Sequence, residues 1–251
     1  MSVQRIVSPV DGSIVAERQT VTPSELARVL ATAETARRAW TAVPLDERIT
    51  MIESAVEALE GQADEIAVEL ARQMGRPVRY GAGEIRGGFQ ERARHMCALA
   101  ETALADDEVE APAGFRKFLR REPLGSILIV APWNYPYLCV VNSAVPALLA
   151  GNTVVLKHAE QTLLVGDRLA AAFTEAGLPD GAFQHVAATH DDVATMIADP
   201  RIDFVAFTGS VEGGRAIARE AGRRFIGTGL ELGGKDPAYV RADADLAFTV
   251  A

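Results

Sequence analysis

Cysteine and histidine are scarce in this chain. Its 251 residues include only Cys97 and Cys139, with four histidines at 95, 158, 185 and 190. Two cysteines build no disulfide framework and match no zinc spacing, and the histidines show no ligand spacing, so no metal is expected. Clustered positive charge is missing too. The formal net charge is −9, and the nearest approach to a basic run, "FRKFLRRE" at 115–122, interrupts its charges with Phe118 and Leu119. Phosphate binding needs a concentrated positive face, so a nucleic-acid partner is not expected. No apolar run reaches the roughly 20 residues of a membrane-spanning helix. The opening "MSVQRIVSPVDG" lacks the apolar stretch of a secretory signal. Together these absences point to a cytoplasmic chain with no membrane partner. Internal repeats and low-complexity segments are absent as well.

What is present has an ordinary globular balance, 49% hydrophobic and 24% charged. That suits one large domain or two modest ones. Residues 1–20 read as a small strand pair around "PVDGS". A helix follows, with Thr22 as N-cap, Pro23 at its first position and Glu25 completing a capping box. Leu26, Val29, Leu30, Ala33 and Trp40 fall near one face of it. Further Ala-rich amphipathic helices are expected at 45–59, 63–74 and 81–104, the second stopped by Gly75 and Pro77. The acidic "ADDEVEAP" closes this helical block.

From residue 115 the texture changes. "FRKFLRREP" alternates like an exposed hairpin arm. Apolar runs at 126–132, 152–157, 182–188 and 202–209 read as strands buried on both faces of a parallel sheet. Helical segments at 136–150, 161–176 and 190–198 lie between them. Strands alternating with helices predict a doubly wound α/β fold. The expected organisation is a helical part over 1–110, an arm over 111–123 and a Rossmann-like unit over 124–251. "DADLAFTVA" at 243–251 starts like a helix capped by Asp243 or Asp245 and carries no stop signal, so the sequence reads as cut inside a helix.

Such a sheet invites a search for phosphate-binding turns. The G-x-G-x-x-G fingerprint fails at "GAGEIR" (81) and "GTGLEL" (227). "GLELGGKD" at 229–236 fails as a phosphate loop, because Asp236 stands where a hydroxyl should hold magnesium and Glu231 would repel phosphate. "FTGSVEGG" at 207–214 runs a strand into Gly209-Ser210 and then a helix, whose N-terminus suits a pyrophosphate. A tight turn would explain its glycines equally well. "VLKHAEQT" at 155–162 ends a strand with Lys157 and sets Glu160 three residues on, where open α/β sheets bind ligands. Glu160 can accept from both ribose hydroxyls of NAD and would repel the 2′-phosphate of NADP. An exposed Lys and Glu opening a helix is the plainer account. "APWNYP" at 131–136 makes a rigid loop in which Asn134 either donates to an oxyanion or only satisfies the turn.

"APWNYP", "PALLAGNTVVLKHAEQT", "FTGSVEGG" and "LELGGKDP", in this order and spacing, resemble the NAD(P)-dependent aldehyde dehydrogenase superfamily along essentially the whole chain. The resemblance implies a reaction in which a cysteine thiolate attacks the aldehyde. Asn134 then holds the oxyanion, hydride passes to the nicotinamide and Glu231 activates water against the thioester. It assigns Lys157 and Glu160 to the adenosine ribose and Gly209 and Ser210 to the pyrophosphate. Trp133, Leu232 and Gly233 line the cofactor site. It also implies an aldehyde substrate and, together with the alternating arm, a homodimer or homotetramer, while the Glu160 carboxylate predicts NAD rather than NADP.

Two departures stand out. Some members carry a lysine nine residues after the loop asparagine, where this chain has Ser143. The nucleophilic cysteine of the family follows the glutamate by a few dozen residues, and neither Cys97 nor Cys139 matches it. The expectation is therefore an N-terminal, cofactor-binding portion that is inactive alone. A non-catalytic dinucleotide-binding or partner-pairing module, or a relative that reduces acyl phosphates or acyl-CoA, are the alternatives.

Overall fold

Local signals shape the first third of the chain. In the computed structural model, which describes residues 2–250, Val3–Val7 (β1) and Ile14–Gln19 (β2) pair antiparallel. Pro23–Ala42 (α1) starts with the full capping box: the Thr22 hydroxyl accepts from the Glu25 N–H, and the Glu25 carboxylate accepts from the Thr22 N–H at 2.8 Å. Its buried face is Leu26, Leu30, Ala33, Ala36 and Trp40. Leu45–Gly61 (α2) and Ala63–Met74 (α3) follow, and Gly75 ends α3 at φ 78°, a left-handed position that favours glycine.

The next expected helix is not one regular element. Val78–Gly83 (α4) passes into a π-helical turn at Glu84–Phe89 before Gln90–Leu104 (α5) resumes. The acidic stretch after it is also not a mere terminator. Asp107–Val109 (β3) pairs antiparallel with Lys117–Leu119 (β4), so the exposed hairpin starts before residue 111. Arg116, Arg120 and Arg121 neutralise Glu108, Asp106 and Asp107 across it. Cross-strand charge pairing makes this acidic segment a strand.

The main sheet has five parallel strands. They are Ser126–Val130 (β5), Thr153–Lys157 (β6), Phe183–His185 (β7), Phe204–Thr208 (β8) and Gly227–Glu231 (β9), in the spatial order β7-β6-β5-β8-β9. Its helices are Pro136–Leu149 (α6), Leu163–Glu175 (α7), His190–Ala198 (α8) and Val211–Gly222 (α9). Alternate strand residues feed two cores. Ile127, Ile129, Val154 and Leu156 join Trp40 and the α2, α5, α6 and α7 side. Leu128, Val155 and Val205 face the other core, with Leu26 and Leu30 of α1, Val193 and Ile197 of α8 and Ile217 of α9. This is the doubly wound α/β architecture, with β5 at the switch between the two directions of winding.

Strand β9 has no apolar run. Its glycines make room instead: a Cβ on Gly227 would stand 3.0 Å from the Phe204 ring on β8. Pairing to β8, not intrinsic propensity, makes it a strand. At the end, Leu246–Val250 (α10) is a short exposed helix capped by Asp245, whose Oδ1 accepts from the N–H groups of Ala247 and Phe248. Among the described residues no helix is long and apolar enough to cross a membrane.

Candidate active site

Parallel pairing puts the C-terminal ends of four neighbouring strands on one edge. Trp133 and Asn134 follow β5, Lys157 closes β6 and Glu160 lies in the 3₁₀ turn after it. Gly209 and Ser210 follow β8, while Glu231 closes β9 and Leu232 and Gly233 come next. Adjacent strands lie about 4.8 Å apart, so this edge spans roughly 15 Å from β6 to β9. All nine residues singled out in the sequence thus lie along one rim of the sheet. The register aligns them: Val130 pairs with both Lys157 and Phe207, and Thr208 pairs with Glu231. The Gly209 N–H donates to the Glu231 carbonyl at 2.9 Å, joining the β8 and β9 turns.

At β8 the turn opens α9. The Ser210 hydroxyl accepts from the Gly213 N–H at 3.1 Å as the helix cap. The other amides of that first turn remain available to an anion. Glycine lets the Phe207 ring lie against this turn, since a Cβ on Gly209 or Gly213 would stand 2.7 or 2.6 Å from the tip of that ring. Leu232 packs on Gly214 in the same way. Beside this turn a cleft of about 430 Å³ opens between α8 and α9, lined by Val130, Val193, Ile197, Phe207 and Ile217. No single stretch of sequence signals this cleft, because its walls come from four separate elements.

Lys157 is 7% exposed, contrary to the plain reading of it as a surface residue. Among the described residues its ammonium has no ion pair. Burial pushes its pKa down, with Glu160 acting the other way. Such a cation at a strand end suits a polyol or phosphate partner. Glu160 itself is exposed. Trp133, 49% exposed, and Asn134 stand out from the rim.

The loop at 131–136 is held from two sides by residues the sequence analysis passed over. Arg76 donates to the Asn134 carbonyl at 2.7 Å, and its guanidinium lies 4.8 Å from the Tyr135 ring centroid. Arg76 also pairs with Glu84, whose carboxylate accepts from the N–H groups of Tyr137 and Leu138 at 2.9 and 3.2 Å. Burial pushes the Glu84 carboxyl up, opposed by Arg76 and the two amides. A glycine-rich stretch inside an expected helix, Gly81 to Gly88, was the one available signal of distortion here. A wide cavity of about 800 Å³, bounded in part by Arg76, Glu84, Gly87, Gly88, Tyr135 and Leu138, adjoins the loop.

From the other side comes His158, which is fully buried. Its Nε2–H donates to the Pro136 carbonyl at 3.3 Å, and its Nδ1 accepts from the Thr162 hydroxyl at 3.0 Å. The imidazole therefore ties the Asn134 loop to the turn that carries Glu160. Burial pushes its pKa down to about 3 from 6.5. The folded value lies below the unfolded one, so between these limits the unfolded chain binds the extra proton. Stability then falls as pH falls, by up to about 1.4 kcal/mol per pH unit. Glu84, with a raised pKa, acts in the opposite direction. Replacing His158 with Gln is expected to flatten the slope of urea-unfolding stability between about pH 5 and pH 6.5. An unchanged slope would show that His158 is not the group responsible.

Neither cysteine is set up as a nucleophile. Burial pushes the Cys97 thiol up to about 11 and also raises Cys139. Both thiols therefore stay protonated at neutral pH.

Comparison with known proteins identifies the family. The aldehyde dehydrogenase family model matches residues 2–251. An aldehyde dehydrogenase of Paenarthrobacter nicotinovorans is 37% identical over 245 residues, covering 96% of this chain and 53% of that protein. Among solved structures, succinic semialdehyde dehydrogenase from Streptococcus pyogenes in complex with NADP+ superposes with a TM-score of 0.91 at 29% identity. That match covers 97% of this chain and 53% of the other. An NAD-dependent aldehyde dehydrogenase from Sinorhizobium meliloti gives a TM-score of 0.89 at 32% identity, over 94% of this chain and 48% of the other. The chain spans about half the length of the curated relatives it matches. On sequence and fold alike, this chain belongs to the aldehyde dehydrogenase family.

Proposed function

We propose that this chain supplies the dinucleotide site, the oxyanion donor and the general base for oxidation of an aldehyde to a carboxylic acid through a cysteine thioester. The observation that carries this reading is the convergence of Asn134, Lys157, Glu160, Gly209, Ser210 and Glu231 on one rim of the parallel sheet. The residues present fit a nicotinamide dinucleotide. The first turn of α9, with Gly209 and Ser210, receives the pyrophosphate. The apolar α8–α9 cleft takes the adenine, and Lys157 and Glu160 bond the ribose hydroxyls. Trp133, Leu232 and Gly233 border the nicotinamide. Bound there, the dinucleotide supplies a hydride acceptor. The Asn134 amide donates to the developing oxyanion, and Glu231 takes a proton from water. The aldehyde approaches through the cavity beside Tyr135. The thiolate is not assigned to Cys97 or Cys139, so the 251-residue chain assayed alone is expected to bind the dinucleotide without oxidising aldehyde. Robust turnover by the short chain would overturn this division of labour.

Relatives are described with either dinucleotide, one with NADP+ and another as NAD-dependent. The local feature that discriminates between them here is Glu160, whose charge opposes a 2′-phosphate. Because Glu160 is exposed and screened, the expected preference for NAD is modest, about tenfold in Kd. Calorimetric titration with both dinucleotides reads this, and Glu160→Gln should narrow the gap. Tighter NADP binding that is indifferent to Glu160→Gln would remove that role.

The β3–β4 hairpin leaves Val109, Phe115 and Leu119 exposed. A two-stranded hairpin is marginal by itself, and we place a second copy of the chain against it. Sedimentation at rising concentration tests this, and a strict monomer counts against it.

A further inference from the structure

The start of α6 raises a question of hydrogen-bond satisfaction. Helix N-termini leave N–H groups without acceptors, and a side chain at the N-cap normally supplies one. Here the N-cap is Tyr135, which makes no capping bond. Tyr137 is buried and Leu138 half-buried, so their N–H groups need an acceptor from elsewhere. Glu84 supplies it from the π-helical turn, and its carboxylate also suits the positive end of the helix dipole.

The same carboxylate holds Arg76, and Arg76 holds the Asn134 carbonyl and covers the Tyr135 ring. One ion pair therefore grips the loop at Asn134 and the helix at Tyr137 and Leu138. Glu84 is buried, with 1% of its side chain exposed, and Arg76 is half-buried, with 13% exposed. A buried ion pair is weak evidence for stability, because desolvation offsets its attraction. What it supplies is direction, since a guanidinium fork fixes two acceptors at set angles. The Asn134 amide makes no hydrogen bond of its own among the described residues. What is held is the main chain from which the amide projects, at the carbonyl that Arg76 bonds. A π-turn at this spot fits the frequent occurrence of such distortions at functional sites.

We propose that the buried Glu84–Arg76 pair is a positioning device that fixes the loop at 131–136, and with it the direction of the Asn134 amide. Its relevance to catalysis rests on the functional reading above, but its effect on the loop does not.

The chain has two tryptophans, and they separate the outcomes. Trp133 sits in the loop, and Trp40 is buried far along the sequence in a core. Chain labelled with 5-fluorotryptophan gives one fluorine resonance for each, assigned with Trp133→Phe. Arg76→Lys keeps the charge but loses the fork. It is expected to shift and broaden the Trp133 resonance while leaving that of Trp40 in place. Glu84→Gln should do the same. If Glu84→Gln fails to fold, the milder Arg76→Lys decides alone. An unmoved Trp133 resonance overturns the proposal, and so does an equal change at both tryptophans, which would mean general support of the fold. Titration of the unsubstituted chain with NAD keeps the two readings apart. Failure of the unsubstituted chain to bind NAD would count against the dinucleotide site and leave the loop result standing.

Discussion

Replacing Glu231 with glutamine is expected to lower steady-state aldehyde oxidation by about 10²–10⁴-fold, the usual worth of a positioned general base. The assay needs a thiolate, which fusing the chain to the remaining half of a relative supplies. Glu231 closes β9 with its side chain exposed, and among the described residues that side chain makes no hydrogen bond. Its oxygens are therefore free to take a proton from water. Glutamine keeps the shape but cannot accept that proton. The turn itself should survive, because it is the Glu231 main-chain carbonyl that accepts from Gly209. Dinucleotide binding should then persist, and a first burst of NADH should still appear before turnover stalls. An unchanged steady rate would remove Glu231 as the base.

The largest stability effect is expected at Trp40. Its ring is fully buried, and its indole N–H donates to the Leu148 carbonyl at 3.0 Å. Trp40→Ala leaves a cavity and takes the indole donor from the Leu148 carbonyl, which still accepts from the Gly151 N–H, at a cost of about 3–5 kcal/mol. Against a total of roughly 5–15 kcal/mol, that threatens folding at physiological temperature. Trp40→Phe keeps most of the packing and should lose mainly the hydrogen bond, about 1 kcal/mol. Urea midpoints at constant m-value measure both. A loss below about 1 kcal/mol for Trp40→Ala would mean that the site collapses around the smaller side chain. The consequence reaches the active site. Leu148 lies at the end of α6, so that helix is pinned by Trp40 at one end and by Glu84 at the other. The Asn134 loop leads directly into it.

Much of this arrangement was legible residue by residue. The Thr22–Glu25 capping box, the stop at Gly75 and the bounds of α8 were all signalled within a few positions of the sequence. So were the apolar runs of β5 and β6, because a strand covered on both faces shows its burial directly, whereas β8, expected to be buried on both faces, is buried only at Val205 and half-buried elsewhere. The motif residues could be assigned to strand ends for the same reason.

Other features depended on partners far along the chain. Gly227 of β9 gives the Phe204 ring room, and nothing within "GTGLE" reveals that ring. The hairpin begins at Asp107 because arginines 14 residues on neutralise its carboxylates. Lys157 and His158 follow each other at the end of one strand, yet both are buried, and only the packing of α6 and the 3₁₀ turn makes them so. Glu84 and Arg76 read as ordinary helix and loop charges until α6 is laid against them, 50 residues later. The sequence determined most of the elements and where their motifs fall, since periodicity and capping act within a turn or two. The tertiary structure decided which polar groups lost water and what replaced it. Desolvation and hydrogen-bond satisfaction depend on every surface that closes over a group, and those surfaces leave no periodic trace beside it.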